Sequence, residues 1–234
     1  MTTQSDAGIE SDDAGRPVAY ARGIQTFMGH ALFIAPGALV PRKETELLAT
    51  VAIAELSERG GTLRVIDMCC GAGNLACAIA AALPKAQIWA ADLTEGAVLV
   101  ARKNVERLGL QDRVTVWQGD LFAPLEPLGL ESSIDAVICN PPYISSARLA
   151  TRDDLVYEPR EAFDGGPYGI SIHQRVVKAA LPLLRQGGTL LVEFGVGQER
   201  QVNLIFERSK SYESIRLFPN EQGQPRVIGA KKRA

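Results

Sequence analysis

The stretch Val65-Ile66-Asp67-Met68-Cys69-Cys70-Gly71-Ala72-Gly73-Asn74-Leu75 sets the architecture of this 234-residue chain. An apolar run enters a turn of small residues and leaves it with helical periodicity, the opening of a strand–turn–helix unit. From there the pattern repeats. Strands are expected over residues 62–68, 87–93, 114–121, 134–140 and 189–194, and helices over 75–83, 96–108, 173–185 and 198–208. Gly187-Gly188 closes the third of these helices. Residues 214–219 and 226–230 read as a terminal hairpin across Asn220-Glu221-Gln222-Gly223. Strands alternating with helices imply an α/β fold. The sheet is doubly wound, mostly parallel and seven-stranded, with an antiparallel hairpin at its C-terminal end.

Upstream, residues 1–18 are polar, small and acidic and are expected to be a disordered tail. Residues 31–40 form a short extended patch that ends at Pro41-Arg42-Lys43-Glu44-Thr45-Glu46, where a helix begins and runs to Gly60-Gly61. Residues 144–172 make a long Gly- and Pro-containing segment, of a length that compact domains usually reserve for function. Residues 19–234 therefore read as one domain. A hydrophobic content of 46% supports a single large core.

Net charge is −2, and setting aside the four acids of residues 1–15 leaves a body close to neutral. That balance disfavours a broad electrostatic grip on nucleic acid. No apolar run approaches membrane-spanning length and no signal peptide opens the chain. Cys69, Cys70, Cys77 and Cys139 lack the paired spacing of a zinc site, so no metal is expected. They read as buried small hydrophobes suited to a reducing cytoplasm. His30 and His173 have no partners for a triad and read as surface or packing residues; Trp89 and Trp117 read as core.

Two corners carry chemistry. At the first, Gly71 and Gly73 let a ligand approach the backbone, and the helix behind presents free N–H donors. Cys69, Cys70 and Ala72 complete that turn. Asp92, 19 residues beyond Gly73 and followed by Leu93, is placed to accept hydrogen bonds from ribose hydroxyls. Asp120 and Leu121 offer a carboxylate and an apolar surface suited to an amino-bearing purine. The run Gly71–Ala76 also fits a dinucleotide fingerprint, leaving a nicotinamide cofactor and S-adenosylmethionine both open. Asp67 favours the latter, because a carboxylate there suits an ammonium and opposes a pyrophosphate. At the second corner, the strand from Ile134 runs into Asn140-Pro141-Pro142-Tyr143. Two prolines lack N–H donors and stop the strand at its carboxyl end, where open α/β sheets place their sites.

Taken together, these segments resemble the Rossmann-like class I S-adenosylmethionine-dependent methyltransferases. More narrowly, the chain resembles the HemK/PrmC family, which methylates the glutamine side-chain amide of peptide-chain release factors. The resemblance rests on Pro41–Glu46, Asp67–Gly73, Asp92, Gly119–Phe122 and Asn140–Tyr143. It extends to Tyr157-Glu158-Pro159-Arg160, Asp164-Gly165-Gly166 and Val192-Glu193-Phe194-Gly195 with Gln198. It implies that the Asn140 side-chain oxygen and the Pro141 carbonyl accept hydrogen bonds from the substrate NH₂, with Pro142 and Tyr143 walling the planar group. It also implies S-adenosylmethionine as cofactor, bound by Asp67, Cys69, Cys70, Gly71, Ala72, Gly73, Asp92, Leu93, Asp120, Leu121 and Asn140. Three departures stand out. Cys69 occupies a usual glycine, Lys43 replaces a usual proline, and a short tail stands where bacterial members carry an N-terminal helical domain. The expected substrate is a release factor, with a small molecule or adenine as alternatives and a small activating subunit as a possible partner. A nucleotide-dependent oxidoreductase and a non-catalytic scaffold are the more distant readings. Arg42 and Thr45 either line the cofactor's amino-acid end or, for Thr45, cap the helix; residues 158–166 either shape the substrate pocket or brace a loop.

Overall fold

The computed structural model describes residues 9–233, together with the backbone of Thr3–Gln4. In chain order the strands are β1 Thr3–Gln4, β2 Glu10–Ser11, β3 Ile24–Phe27, β4 His30–Phe33, β5 Leu63–Met68, β6 Ala86–Asp92, β7 Val114–Gln118, β8 Ile134–Cys139, β9 Leu184–Glu193, β10 Tyr212–Pro219 and β11 Pro225–Lys232. The helices are α1 Val18–Arg22, α2 Glu46–Ser57, α3 Asn74–Ala82, α4 Glu95–Arg107, α5 Ser146–Leu149, α6 Ser171–Ala180 and α7 Glu199–Ser209.

Seven strands form one sheet in the order β10-β11-β9-β8-β5-β6-β7. β5 through β9 are mutually parallel, and β11 pairs antiparallel with both β9 and β10. Alternate residues of each strand serve opposite faces. Val65, Ile88, Ala136 and Leu191 join the core under α2, α3 and α4, while Ile66, Ala91, Val137 and Val192 join the core under α6 and α7. Strands buried on both faces need apolar side chains at nearly every position, as Ile134–Cys139 shows. The chain reverses its direction of travel across the sheet between β5 and β8, so a crevice opens at their carboxyl ends.

Four features differ from the sequence expectation. Within the supposed tail, residues 1, 2 and 5–8 lie outside the described residues. The remainder is structured because Ile9 is buried and Asp12 closes a turn, accepting from the backbone of Ala14 and Arg16. The patch before α2 is the second half of a hairpin, β3–β4. Asn104 of α4 anchors it, accepting from Phe33 N at 2.6 Å and donating to Phe33 O at 3.0 Å. The third predicted helix ends at Ala180, because Pro182 cannot continue it, and β9 starts at Leu184. Gly187-Gly188 lies inside that strand at a register shift; a Cβ on Gly188 would meet Ile134 O at 2.9 Å. Trp89 and Trp117 are only partly buried against the core.

Candidate active site

The glycine turn after β5 is held from two sides. Asn104 Nδ2 donates to the Ala72 carbonyl at 2.9 Å, and a Cβ on Gly73 would meet Ala101 Cβ of α4 at 3.1 Å. Gly73 has φ +74° and Gly71 φ +53°, both left-handed. The space over Gly71 is open: no atom lies within 4 Å of a Cβ placed there. Cys69 adopts φ +59° with a side chain, and Leu121 adopts φ +48°. Left-handed geometry at non-glycine residues costs roughly 1–3 kcal/mol and concentrates at functional sites.

Carboxylates ring the turn. Asp67 is fully buried; its Oδ2 accepts from Ala76 N at 2.9 Å, its Oδ1 has no partner among the described residues, and burial pushes its pKa up to about 7. Asp92 accepts from Gly71 N at 2.9 Å and Thr94 N at 3.1 Å, and burial raises its pKa. Asp120 pairs with Arg175 at 2.6 Å. A cavity of about 250 Å³ runs past Cys69, Gly71, Asp92, Leu93, Asp120, Leu121, Asn140 and Pro142. A smaller space of about 30 Å³, bounded by Arg42, Thr45, Cys69, Cys70, Gly71 and Asn140, continues it. Asp67, Ala72 and Gly73 lie outside both linings, contrary to their reading as cofactor contacts; Asp67 instead holds the start of α3 through Ala76 N. Two acids lining the cavity over an open glycine turn, Asp92 and Asp120, with Asp67 buried behind it, fit a cationic ligand and repel a pyrophosphate.

The second corner stands against the first. A cavity of about 320 Å³ is lined by Asn140, Pro141 and Tyr143, with Arg42, Phe163 and Arg226 among its other walls. Asn140 and Leu39 border all three spaces. Asn140 Nδ2 donates to Thr45 Oγ1 at 3.1 Å, leaving its Oδ1 as an unused acceptor among the described residues. Thr45 makes no side-chain cap on α2, so its hydroxyl serves Asn140. The Tyr143 hydroxyl donates to Glu44 at 3.3 Å and accepts from Arg226 at 3.3 Å, and burial raises its pKa.

The loop motifs find physical reasons here. A Cβ on Gly165 would meet Pro142 O at 2.8 Å, and one on Gly195 would meet Tyr143 Cδ2 at 3.1 Å. Gln198 accepts from Gly195 N at 2.9 Å and donates to Tyr143 O at 3.0 Å. These contacts brace the Pro-Pro-Tyr turn from both sides. Residues 158–166 both brace and line. Glu158 takes a buried bidentate bond from Arg42, at 2.6 and 3.1 Å, while Pro159, Ala162 and Asp164 wall the first cavity. Sequence reasoning missed the Arg42–Glu158 pair; the motifs that hold the two residues were its only signal. His173 is buried with Nε2 against Glu193 O at 3.0 Å, a packing role. Among the described residues no group of three His, Cys, Asp or Glu side chains could hold a metal ion.

A doubly wound sheet of this order, with acids around a glycine turn and an Asn-Pro-Pro-Tyr wall at the switch point, defines the class I methyltransferase fold. The methyltransferase small domain model matches residues 43–166. A release factor glutamine methyltransferase of Moorella thermoacetica is 36% identical over 226 residues, 96% of this chain and 78% of the relative. One of Gloeobacter violaceus is 36% identical over 91% of this chain and 73% of its own length. The solved protein-(glutamine-N5) methyltransferase of Alicyclobacillus acidocaldarius is 24% identical, covers 86% of this chain and 99% of its own, and superposes with a TM-score of 0.50. The chain belongs to the release factor glutamine methyltransferase family.

Proposed function

We propose that the chain transfers a methyl group from S-adenosylmethionine to the side-chain amide nitrogen of a glutamine in a peptide-chain release factor. The observation that carries this reading is the position of Asn140. It borders the cavity at the glycine turn and the cavity beside Tyr143, with its amide NH₂ tied to Thr45 and its oxygen unused. The relatives named above, 36% identical over nearly the whole chain, act on release factors by name. Exposed apolar residues at the mouth, Tyr168 and Val196, with Val156 and Tyr157 on the same loop region, suit a macromolecular substrate. A cytoplasmic setting accompanies the reading, and the four cysteines are free thiols.

Asp92, Asp120 and the turn at Cys69–Gly73 would hold the donor, with Asp67 bracing the turn from the core side. Bound there, S-adenosylmethionine supplies an electrophilic methyl group on a sulfonium. An amide nitrogen is a poor nucleophile because its lone pair is delocalised. Asn140 Oδ1 and the Pro141 carbonyl accept from its two N–H groups and fix the plane of the amide so that the lone pair faces the first cavity. Pro142 and Tyr143 close the sides. No strong base is needed before attack, since the proton leaves after the charge of the donor is neutralised. Alignment of this kind is worth up to roughly 7–11 kcal/mol, and rigid acceptors add to it without reorganisation.

Incubating the chain with methyl-labelled S-adenosylmethionine and a bacterial release factor, then sequencing the labelled peptide by mass spectrometry, tests the assignment. A single methyl group on a glutamine amide is expected. A release factor left unlabelled while a small molecule or nucleic acid added beside it takes the label would overturn it.

A further inference from the structure

Behind the Pro-Pro-Tyr turn lies a buried carboxylate that the reading above does not use. Glu193, the last residue of β9, is 1% exposed, and among the described residues neither of its carboxylate oxygens has a hydrogen-bond partner at full geometry. The nearest cation, Arg226 Nη2, stands at 3.7 Å. That guanidinium is already engaged with Glu44 at 3.1 Å, the Tyr143 hydroxyl at 3.3 Å and the Phe194 carbonyl at 3.0 Å. His173 meets Glu193 at its backbone carbonyl, 3.0 Å from Nε2, and not at its carboxylate. An acceptor left alone in the interior calls for an explanation.

Its neighbours supply one. Thr45 is buried, and its hydroxyl oxygen accepts from Asn140 Nδ2 at 3.1 Å, which leaves its own proton to turn toward Glu193, whose pKa it lowers. The side chains of Thr45 and Asn140 both lie close enough to Glu193 to lower its pKa. A hydroxyl can donate or accept, and an amide can present either end. With no anion beside it, the Thr45 hydroxyl is free to donate toward Asn140. The amide would then turn its NH₂ to the substrate NH₂, donor against donor.

We propose that Glu193 is a positioning residue for methyl transfer: its carboxylate accepts the Thr45 hydroxyl proton, which fixes Thr45 as acceptor for Asn140 Nδ2 and points Asn140 Oδ1 at the substrate. The inference rests on the reading of Asn140 as the substrate's acceptor. It assigns a physical role to the Val192-Glu193-Phe194-Gly195 segment. Burial and Glu44 push Glu193 up, Arg226, Thr45 and Asn140 pull it down, and the balance stands at about 7. Tyr143 faces the same cluster as a neutral phenol. Protonation near neutrality therefore removes the polarity that Glu193 imposes.

Two measurements test this, one independent of substrate. In the full chain with S-adenosylhomocysteine bound, the Asn140 side-chain NH₂ resonances should titrate near neutral pH, and Glu193→Gln should abolish that titration. In single-turnover assays Glu193→Gln and Thr45→Val should each slow transfer by about tenfold to a hundredfold, the worth of a hydrogen bond to a charge. Donor affinity should stay within about twofold in Glu193→Gln, whose carboxylate borders neither donor space. Thr45→Ser should recover most of what Thr45→Val loses. Should Glu193→Gln fail to fold, the two Thr45 variants decide alone. An Asn140 titration that survives in Glu193→Gln, or full turnover in Thr45→Val, overturns the proposal. A wild-type chain that leaves release factor unmethylated while its Asn140 resonances still titrate refutes the substrate and not the positioning.

Discussion

Glu158→Ala is the sharpest probe of how the site is held together. Arg42 and Glu158 are 7% and 1% exposed at their side chains and meet at 2.6 Å, with a second contact at 3.1 Å. Glu158 also accepts from Val40 N at 2.9 Å. Removing the carboxylate leaves a buried guanidinium without its partner, and breaking a buried pair in this way costs about 3–5 kcal/mol. For a chain of this size each kcal/mol moves Tm by roughly 2–4 °C, so the midpoint should fall by about 6–20 °C. By contrast, Asp120→Ala breaks a half-exposed pair with Arg175 and should cost no more than about 1 kcal/mol. The double variant Arg42→Met/Glu158→Leu removes both charges and should recover part of the loss, because the desolvation cost disappears with the pair while Val40 N and O are left without their partners. Thermal and urea denaturation of the single variants and the double variant measure these terms. A Glu158→Ala loss as small as that of Asp120→Ala would refute the reasoning.

Cys69→Gly relieves the left-handed backbone at φ +59° and should raise stability by about 1 kcal/mol, read as a higher Tm; a fall would show that sulfur packing outweighs the strain. Stability without ligand should fall as pH rises. Burial pushes Asp67 and Glu193 up to about 7, so the native chain holds protons that the unfolded chain has already lost between about pH 4 and 7. Burial pushes His173 down to about 4, which opposes the trend with one proton between about pH 4 and 6.5. The two carboxyls outweigh the imidazole, so urea midpoints should be higher at about pH 5 than at about pH 8; the reverse order contradicts the assignment.

Much of this architecture was legible because β5, β6, β8 and the glycine turn are local patterns, where periodicity and breakers act over a few residues. Asn140–Tyr143 was legible for the same reason, since two prolines can end a strand but not extend one. What escaped depends on contacts distant in sequence. Arg42 and Glu158 are 116 residues apart, and Thr45 finds Asn140 across 95. No pattern in the helix start at Thr45 distinguishes a cap from a tether. The overrun of α6 came from Leu181, Leu183 and Leu184, which keep helical spacing after the helix has ended; the last two belong to the core around the start of β9. The β3–β4 hairpin was hidden because its strands are four residues long and half exposed, and its anchor, Asn104, is on another element.

Asn140 is the residue on which methyl transfer depends most directly. Asn140→Ala removes one preorganised acceptor from the reacting amide, a loss of about 10²–10³ in turnover by comparison with other fixed hydrogen-bonding groups. Single-turnover transfer to release factor should drop by that much, while donor affinity measured by calorimetry falls far less. Turnover equal to that of the unmodified chain would contradict the central claim.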